Sequence, residues 1–163
     1  MPNSITFLPV TEDHHELLRG WLDTPHVREW WGETEKELAL IYDGMGEHEP
    51  FLAGVDGLPI AYIQAWWPIQ HPHLEWLRGM TASTRGIDLF IGEASHLSRG
   101  YGSAIVAAFA TKLFAEGATR LIIDPDRRNA RAIAAYTKAG FARFGTHDGD
   151  VLMELHAQQS EVA

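Results

Sequence analysis

The stretch Leu97-Ser98-Arg99-Gly100-Tyr101-Gly102-Ser103 decides how this chain is read. An apolar run, Ile87 to Ile91, precedes it, and an amphipathic segment, Ala104 to Glu116, follows. A strand, a glycine-bearing loop and a helix in that order present unpaired backbone N–H groups at the positive end of a helix dipole. That combination is an anion site. Gly100 and Gly102 let the backbone approach a phosphate with no Cβ in between, and Arg99 adds a fixed positive charge. Ser98 to Ser103 therefore reads as a pyrophosphate cradle, with a plain turn before a helix as the competing reading. The spacing is not that of the P-loop, since no Gly-Lys-Ser/Thr follows, nor is it Gly-x-Gly-x-x-Gly.

The 163 residues suit one domain, placed here at 1–157, with a frayed tail at 158–163. The chain has no cysteine, so disulfides, thiolate metal sites and cysteine nucleophiles are excluded. No apolar run is long enough to suggest a membrane span, and Met1-Pro2-Asn3-Ser4 lacks the features of a cleavable signal, so the cytoplasm is the expected compartment. A formal net charge of −9 disfavours a nucleic-acid partner and suits a small cationic ligand, though it also suits mere solubility. The histidines, His14-His15, His71, His73 and His147, lack the i, i+4 pairing with an acid of a helical zinc site, so no metal is expected.

Periodicity orders the rest. Ile5 to Val10 reads as a strand. Thr11 caps a helix to about Leu22, Pro25 to Trp30 is a short helix with proline at its first position, and Thr34 to Tyr42 is a third. Pro50 to Val55 and Leu58 to Trp67 flank Asp56-Gly57, a hairpin signal. Pro68 to Ser83 reads as a loop, and Thr84 to Ile91 as a strand. The next helix, Gly102 to Glu116, carries Ile105, Phe109 and Leu113 on one stripe. Leu121 to Asp124 is a short strand, and Asn129 caps a helix to Lys138 with Ile133 and Tyr136 on its inner face. Phe141 to Gly145 and Val151 to His156 alternate as antiparallel strands joined by the five residues Thr146 to Asp150. The order β-α-α-α-β-β-β-α-β-α-β-β predicts a mixed α/β sheet. Most of its pairs are antiparallel, and one parallel crossover lies at the glycine-bearing loop.

This order, with Arg99-Gly100-Tyr101-Gly102 at a strand-to-helix junction, resembles the GNAT superfamily of acyl-CoA-dependent N-acetyltransferases. The segment from Asn129 to Phe141, ending Tyr136-Thr137-Lys138-Ala139-Gly140-Phe141, matches that superfamily's Asn, helix, Tyr-x-Lys-x-Gly-Phe form. One departure is Leu97, where Arg or Gln often opens the phosphate loop. Within the superfamily, several segments are similar to the aminoglycoside 6′-N-acetyltransferases: Glu29-Trp30-Trp31-Gly32, Tyr62-Ile63-Gln64, Arg85-Gly86-Ile87-Asp88, Asp124-Pro125-Asp126 and Thr146-x-Asp148-Gly149. The loop around Trp76 departs from that family, because Glu75-Trp76 is followed by Leu77-Arg78-Gly79, with His73 nearby.

The resemblance implies acetyl transfer from acetyl-CoA, without a metal, to a small cationic amine. The 6′-amine of an aminoglycoside leads, and a siderophore hydroxylamine, protein amine or amino acid is the alternative. It implies a monomer or homodimer with no nucleic-acid or membrane partner. It gives Asp88 the role of base toward the acceptor amine, where spacing alone leaves a surface or capping aspartate. It gives Tyr136 the role of proton donor to the CoA sulfur, where spacing alone leaves a core tyrosine. Backbone N–H groups around Phe90 and Ile91 are expected to bind pantetheine and the thioester oxygen. Ser98, Arg99, Gly100, Tyr101, Gly102 and Ser103 are expected at the pyrophosphate, and Asn129 at the pantetheine arm or simply as a helix cap. Trp30, Trp31, Gln64, Trp66 and Trp76 are expected to line the acceptor site, the tryptophans being core residues otherwise. Asp124, Asp126 and Asp148 are expected to hold its ammonium groups. Retention of both Asp88 and Tyr136 argues against a third reading, a non-catalytic acyl-CoA sensor.

Overall fold

The computed structural model describes residues 4–158, so positions 159–163 of the expected tail lie outside the described residues. Seven strands form one sheet in the order β1-β2-β3-β4-β5-β7-β6. They are β1 (Ile5–Pro9), β2 (His48–Val55), β3 (Leu58–Trp66), β4 (Thr84–Ile91), β5 (Arg120–Ile123), β6 (Ala142–His147) and β7 (Asp150–His156). The helices are α1 (His15–Leu22), α2 (Pro25–Trp31), α3 (Thr34–Asp43), α4 (Tyr101–Ala115) and α5 (Ala130–Lys138). All pairs are antiparallel except β4 with β5. This is the mixed sheet with one parallel crossover that the sequence predicts. No helix among the described residues is long and apolar enough to cross a membrane.

Strand alternation divides the interior in two. Ala61, Ile63, Ala65 and Ile87 point to one face and pack with Ile105, Phe109 and Leu113 of α4 and with Tyr136 of α5. Leu52, Tyr62 and Phe90 point to the other face and pack with Leu18, Trp21 and Leu22 of α1, Val27 of α2, and Leu38 and Ile41 of α3.

Local chemistry moves some boundaries. Glu12–His14 form a 3₁₀ turn before α1, because the His14 Nδ1 accepts the Thr11 N–H at 3.0 Å and tightens the entry. The expected loop from Thr146 to Asp150 shrinks to two residues. Asp148 and Gly149 both adopt positive φ, 46° and 89°, between the paired residues His147 and Asp150. That is the geometry Asp56-Gly57 adopts at the first hairpin, with φ of 52° and 84°. Pro68 to Ser83 holds two further 3₁₀ turns, Pro68–Gln70 and Glu75–Leu77, and is pinned by the fully buried Leu77.

The parallel pair is short. β4 pairs with β5 only through Thr84, Arg85 and Gly86, opposite Arg120, Leu121 and Ile122. Beyond Gly86 the two strands part, and the far half of β4 keeps a neighbour only at β3. This splay opens the sheet beside α5 and α4.

Candidate active site

The splay exposes one edge of β4. Gly92 N–H donates to Ile60 O at 2.8 Å, which makes Ile60–Gly92 a hydrogen-bonded pair of the β3–β4 ladder. Alternation then commits Phe90 and Asp88 to β3 and turns the N–H and C=O groups of Leu89 and Ile91 toward the opening. The Ile91 carbonyl is already used, accepting from His26 Nε2 at 2.7 Å. The expectation of donors around Phe90 and Ile91 is therefore narrowed: the Phe90 ring lines the cavity, and the backbone donors facing it are those of Leu89 and Ile91, not of Phe90.

A cavity of about 370 Å³ runs along that edge. Leu89, Phe90 and Ile91 form one wall, Leu97, Ser98, Gly100, Gly102 and Ser103 another, and Asn129, Ala132, Ala135 and Tyr136 of the α5 segment a third. Gly100 caps α4 in the left-handed region, φ 85°, and no side chain caps that terminus. The first N–H groups of a four-turn helix thus face the cavity without a protein acceptor. Ser98, also at positive φ (57°), reverses the chain just before them. Arg99 and Tyr101 do not line the cavity; the Arg99 guanidinium lies 5.5 Å from the Tyr101 ring, outside it. Asn129 is a helix cap, its Oδ1 accepting Ala132 N–H at 3.2 Å, and it also lines the cavity.

A second cavity, of about 490 Å³, adjoins the first and shares Trp30, Trp31, Leu89, Asn129, Ala132 and Tyr136 with it. Its lining includes Gln64, Asp88, Asp124 and Asp126. It also includes Glu37, Glu47 and Asp150, which the sequence reading missed, and His48. These are six carboxylates with no Lys or Arg in the lining. Glu37 falls on the stripe of α3 that buries Thr34, Leu38 and Ile41, so an acid on an otherwise apolar face was the available signal. Asp150 needed the two-residue turn to be recognised, since that turn makes it the first residue of β7.

Electrostatics follow from the crowding. Burial pushes the Asp88 carboxyl up, opposed by the Gln64 amide and by the nearby Trp66 indole. Burial, then the charges of Asp88 and Asp150, push Asp124 up to about 8. Glu37 and Asp150 are raised for the same first reason. Asp126 goes the other way, down to about 2, because Arg128 grips it with both a side-chain fork and a backbone N–H. Its charge is thus largely answered within the protein. Tyr136 is buried, and burial together with Asp88 and Asp124 raises its phenol.

Three expected acceptor residues stand apart. Trp66 does not line the cavity; its indole covers Gly86 so closely that a Cβ there would overlap it. Trp76 lies 6.0 Å from the His147 ring, against the β6–β7 hairpin. Asp148 sits at the hairpin tip with its side chain 89% exposed, next to His147. The two-residue turn points it to solvent and gives its expected place in the cavity to Asp150. Trp30 and Trp31 line both cavities, Trp31 edge-on to Phe90 at 5.0 Å and Trp30 5.9 Å from the Arg128 guanidinium.

The comparisons with known proteins give the family. The model of the GNAT acetyltransferase domain matches residues 10–149. The aminoglycoside N(6′)-acetyltransferase type 1 of Klebsiella pneumoniae is 32% identical over 97% of this chain and 85% of its own length. A kanamycin resistance protein of Rhizobium radiobacter is 36% identical over 52% of this chain and 82% of its own. Among solved structures, aminoglycoside acetyltransferase AAC(6′)-Ib in complex with coenzyme A and kanamycin superimposes with a TM-score of 0.84 at 32% identity, covering 94% of this chain and 95% of that one. The same enzyme with ribostamycin and coenzyme A gives 0.86, covering 94% of each chain. The chain belongs to the GNAT acetyltransferases, in the family of the aminoglycoside 6′-N-acetyltransferases.

Proposed function

We propose that the protein transfers the acetyl group of acetyl-CoA to the 6′-amine of an aminoglycoside or a closely similar polyamine. The observation that carries this reading is the junction of the two cavities. One offers free N–H donors and apolar walls, the other six carboxylates without a lining Lys or Arg, and they meet at Tyr136 and Leu89. Coenzyme A fits the first by its chemistry: phosphates for the α4 terminus, and a narrow amide-bearing arm for the open edge of β4. A polycation fits the second.

Bound acetyl-CoA supplies an activated acetyl thioester; the chain's residues do the rest. Asp88, ionised, takes one proton from the acceptor ammonium and leaves a neutral amine, which forms the new N–C bond. The N–H groups of Leu89 and Ile91 stabilise the negative charge that grows on the acyl oxygen. Tyr136 gives its proton to the sulfur as the C–S bond breaks, and regains one from the acylated nitrogen. The first proton leaves Asp88 for solvent. Burial and the neighbouring carboxylates keep Tyr136 protonated in the resting site, so its proton is present when the thiolate forms. Trp30 and Trp31 flank the junction and exclude water from it.

The test is release of free thiol from acetyl-CoA across an amine panel that includes kanamycin and tobramycin. Polyamines with a free 6′-amine should be the best acceptors. Faster turnover of protein amines, amino acids or hydroxylamines would overturn the aminoglycoside reading.

A further inference from the structure

The geometry points to Tyr62 as a positioning residue for acetyl transfer, acting through Gln64 to hold the Asp88 carboxylate in place. This rests on Asp88 serving as the base. It begins with register. On the face of β3–β4 away from α4, three pairs stand directly opposite: Tyr62 with Phe90, Gln64 with Asp88, and Trp66 with Gly86. Phe90 stacks on the Tyr62 ring at 5.3 Å and 24°, and Trp31 meets that ring edge-on at 6.0 Å. The ring is fully buried, so its hydroxyl has one available direction. It donates to Gln64 Oε1.

Gln64 Nε2 then donates to Asp88 Oδ2 at 2.9 Å. The amide is polarised from both ends. A flipped amide would set Oε1 against the carboxylate, so the tyrosine and the aspartate select the same orientation. One carboxylate oxygen is thereby fixed by protein, and the other is left for the acceptor. The Trp66 indole N–H also faces Asp88 and favours its ionised form, but the well-formed hydrogen bond that fixes Oδ2 comes from Gln64. Around it stand Glu37 of α3, Asp124 after β5, Tyr136 of α5 and Tyr62 itself. None of these is a cation, so the Gln64 hydrogen bond is a main support of the ionised form. Tyr62 itself does not line the cavity, so it acts on Asp88 only through Gln64.

Tyr62→Phe keeps the stack and removes only the brace. Asp88 should then ionise at higher pH. The acid limb of the kcat/KM profile should move up, and kcat should fall about tenfold with the KM for acetyl-CoA unchanged. Gln64→Leu should do the same, and the double variant should be no worse than Gln64→Leu alone, because the tyrosine acts through the amide. Carbon-13 NMR titration of the Asp88 carboxyl in free enzyme reads the same shift without any acceptor. It therefore separates failure of this inference from failure of the aminoglycoside assignment. An unshifted Asp88 titration in folded Tyr62→Phe, or additive losses in the double variant, would overturn the role.

Discussion

Asp88 and Tyr136 line one cavity from different elements, β4 and α5, and the carboxylate of the first makes the phenol of the second harder to ionise. A base that must lose its proton and an acid that must keep one are thus coupled in the useful direction. Asp88→Asn preserves shape and removes the base. Turnover should fall by roughly 10²–10⁴-fold, as for a lost general base. Melting temperature at neutral pH should hold or rise, because the wild-type carboxylate is ionised against its surroundings. An Asp88→Asn enzyme of wild-type rate would make Asp88 a bystander.

Tyr136→Phe removes the proton donor alone. The ring also packs with the α4 side of the core, 6.4 Å from the Phe141 ring, and phenylalanine retains that packing. Acetyl-CoA affinity should stay level while the rate of acetyl transfer falls, most cleanly in single-turnover kinetics, where product release cannot mask the step. Equal single-turnover rates would remove Tyr136 as the acid.

Gly102 tests the cradle. A Cβ at this position meets only the Ala135 Cβ, at 3.9 Å, so a larger residue tests the ligand site more than the fold. Gly102→Glu should weaken acetyl-CoA binding by an order of magnitude or more while the melting temperature moves little. Calorimetric titration that gives equal affinities would detach the phosphates from this loop.

The sequence made the cofactor half of the site legible because backbone chemistry there is local: a strand, a turn and a helix terminus within twenty-odd residues. The acceptor half was less legible because its carboxylates come from five separate stretches of chain. Asp88 and Asp124 were found through motifs. Glu37 and Asp150 were not, because one sits on a helix face and the other depends on a turn length. Asp148 shows the cost of that turn. Reading Asp148-Gly149 like Asp56-Gly57 would have sent its side chain to solvent. Of the donors expected around Phe90 and Ile91 on β4, that of Phe90 turns to β3 and that of Leu89 to the opening, since a strand pattern gives faces but not which N–H groups a neighbour takes.

Stability should depend on pH in a set direction. Asp124 is raised to about 8, so between the ordinary carboxylate range near pH 4 and about pH 8 the unfolded chain has lost a proton that the folded one retains. The folded state binds more protons there, and stability falls as pH rises through the window. Melting temperature should drop between pH 5 and pH 8, and Asp124→Asn should flatten the drop. Asp126, lowered to about 2, acts only below pH 4 and leaves this window alone. His48, lowered by burial, acts in the opposite sense below about pH 6.5, so the difference between the two proteins is the test, and equal slopes for wild type and Asp124→Asn would mean that Asp124 is not held against its charge.

The acceptor cavity sets the last expectation. Among its carboxylates Asp126 is engaged by Arg128, while Glu37, Asp88, Asp124 and Asp150 have no ion-pair partner among the described residues. At 4 Å an ammonium–carboxylate pair is worth about 1 kcal/mol in water and about 4 kcal/mol at an effective dielectric of 20. A ligand carrying several ammonium groups therefore gains more than one carrying a single group. Salt acts on the longer-range part of that attraction, over a Debye length of about 10 Å at 0.1 M. The KM of the best acceptor should rise with ionic strength, and rise more than that of a monoamine. An analogue with a 6′-hydroxyl in place of the amine should bind competitively and not be acetylated at that position. Its binding would come from the remaining ammonium groups, while Asp88 would have no 6′-ammonium to deprotonate. Preference for neutral or anionic amines, with KM indifferent to salt, would remove the polycation from this cavity and leave the acetyl-transfer chemistry standing.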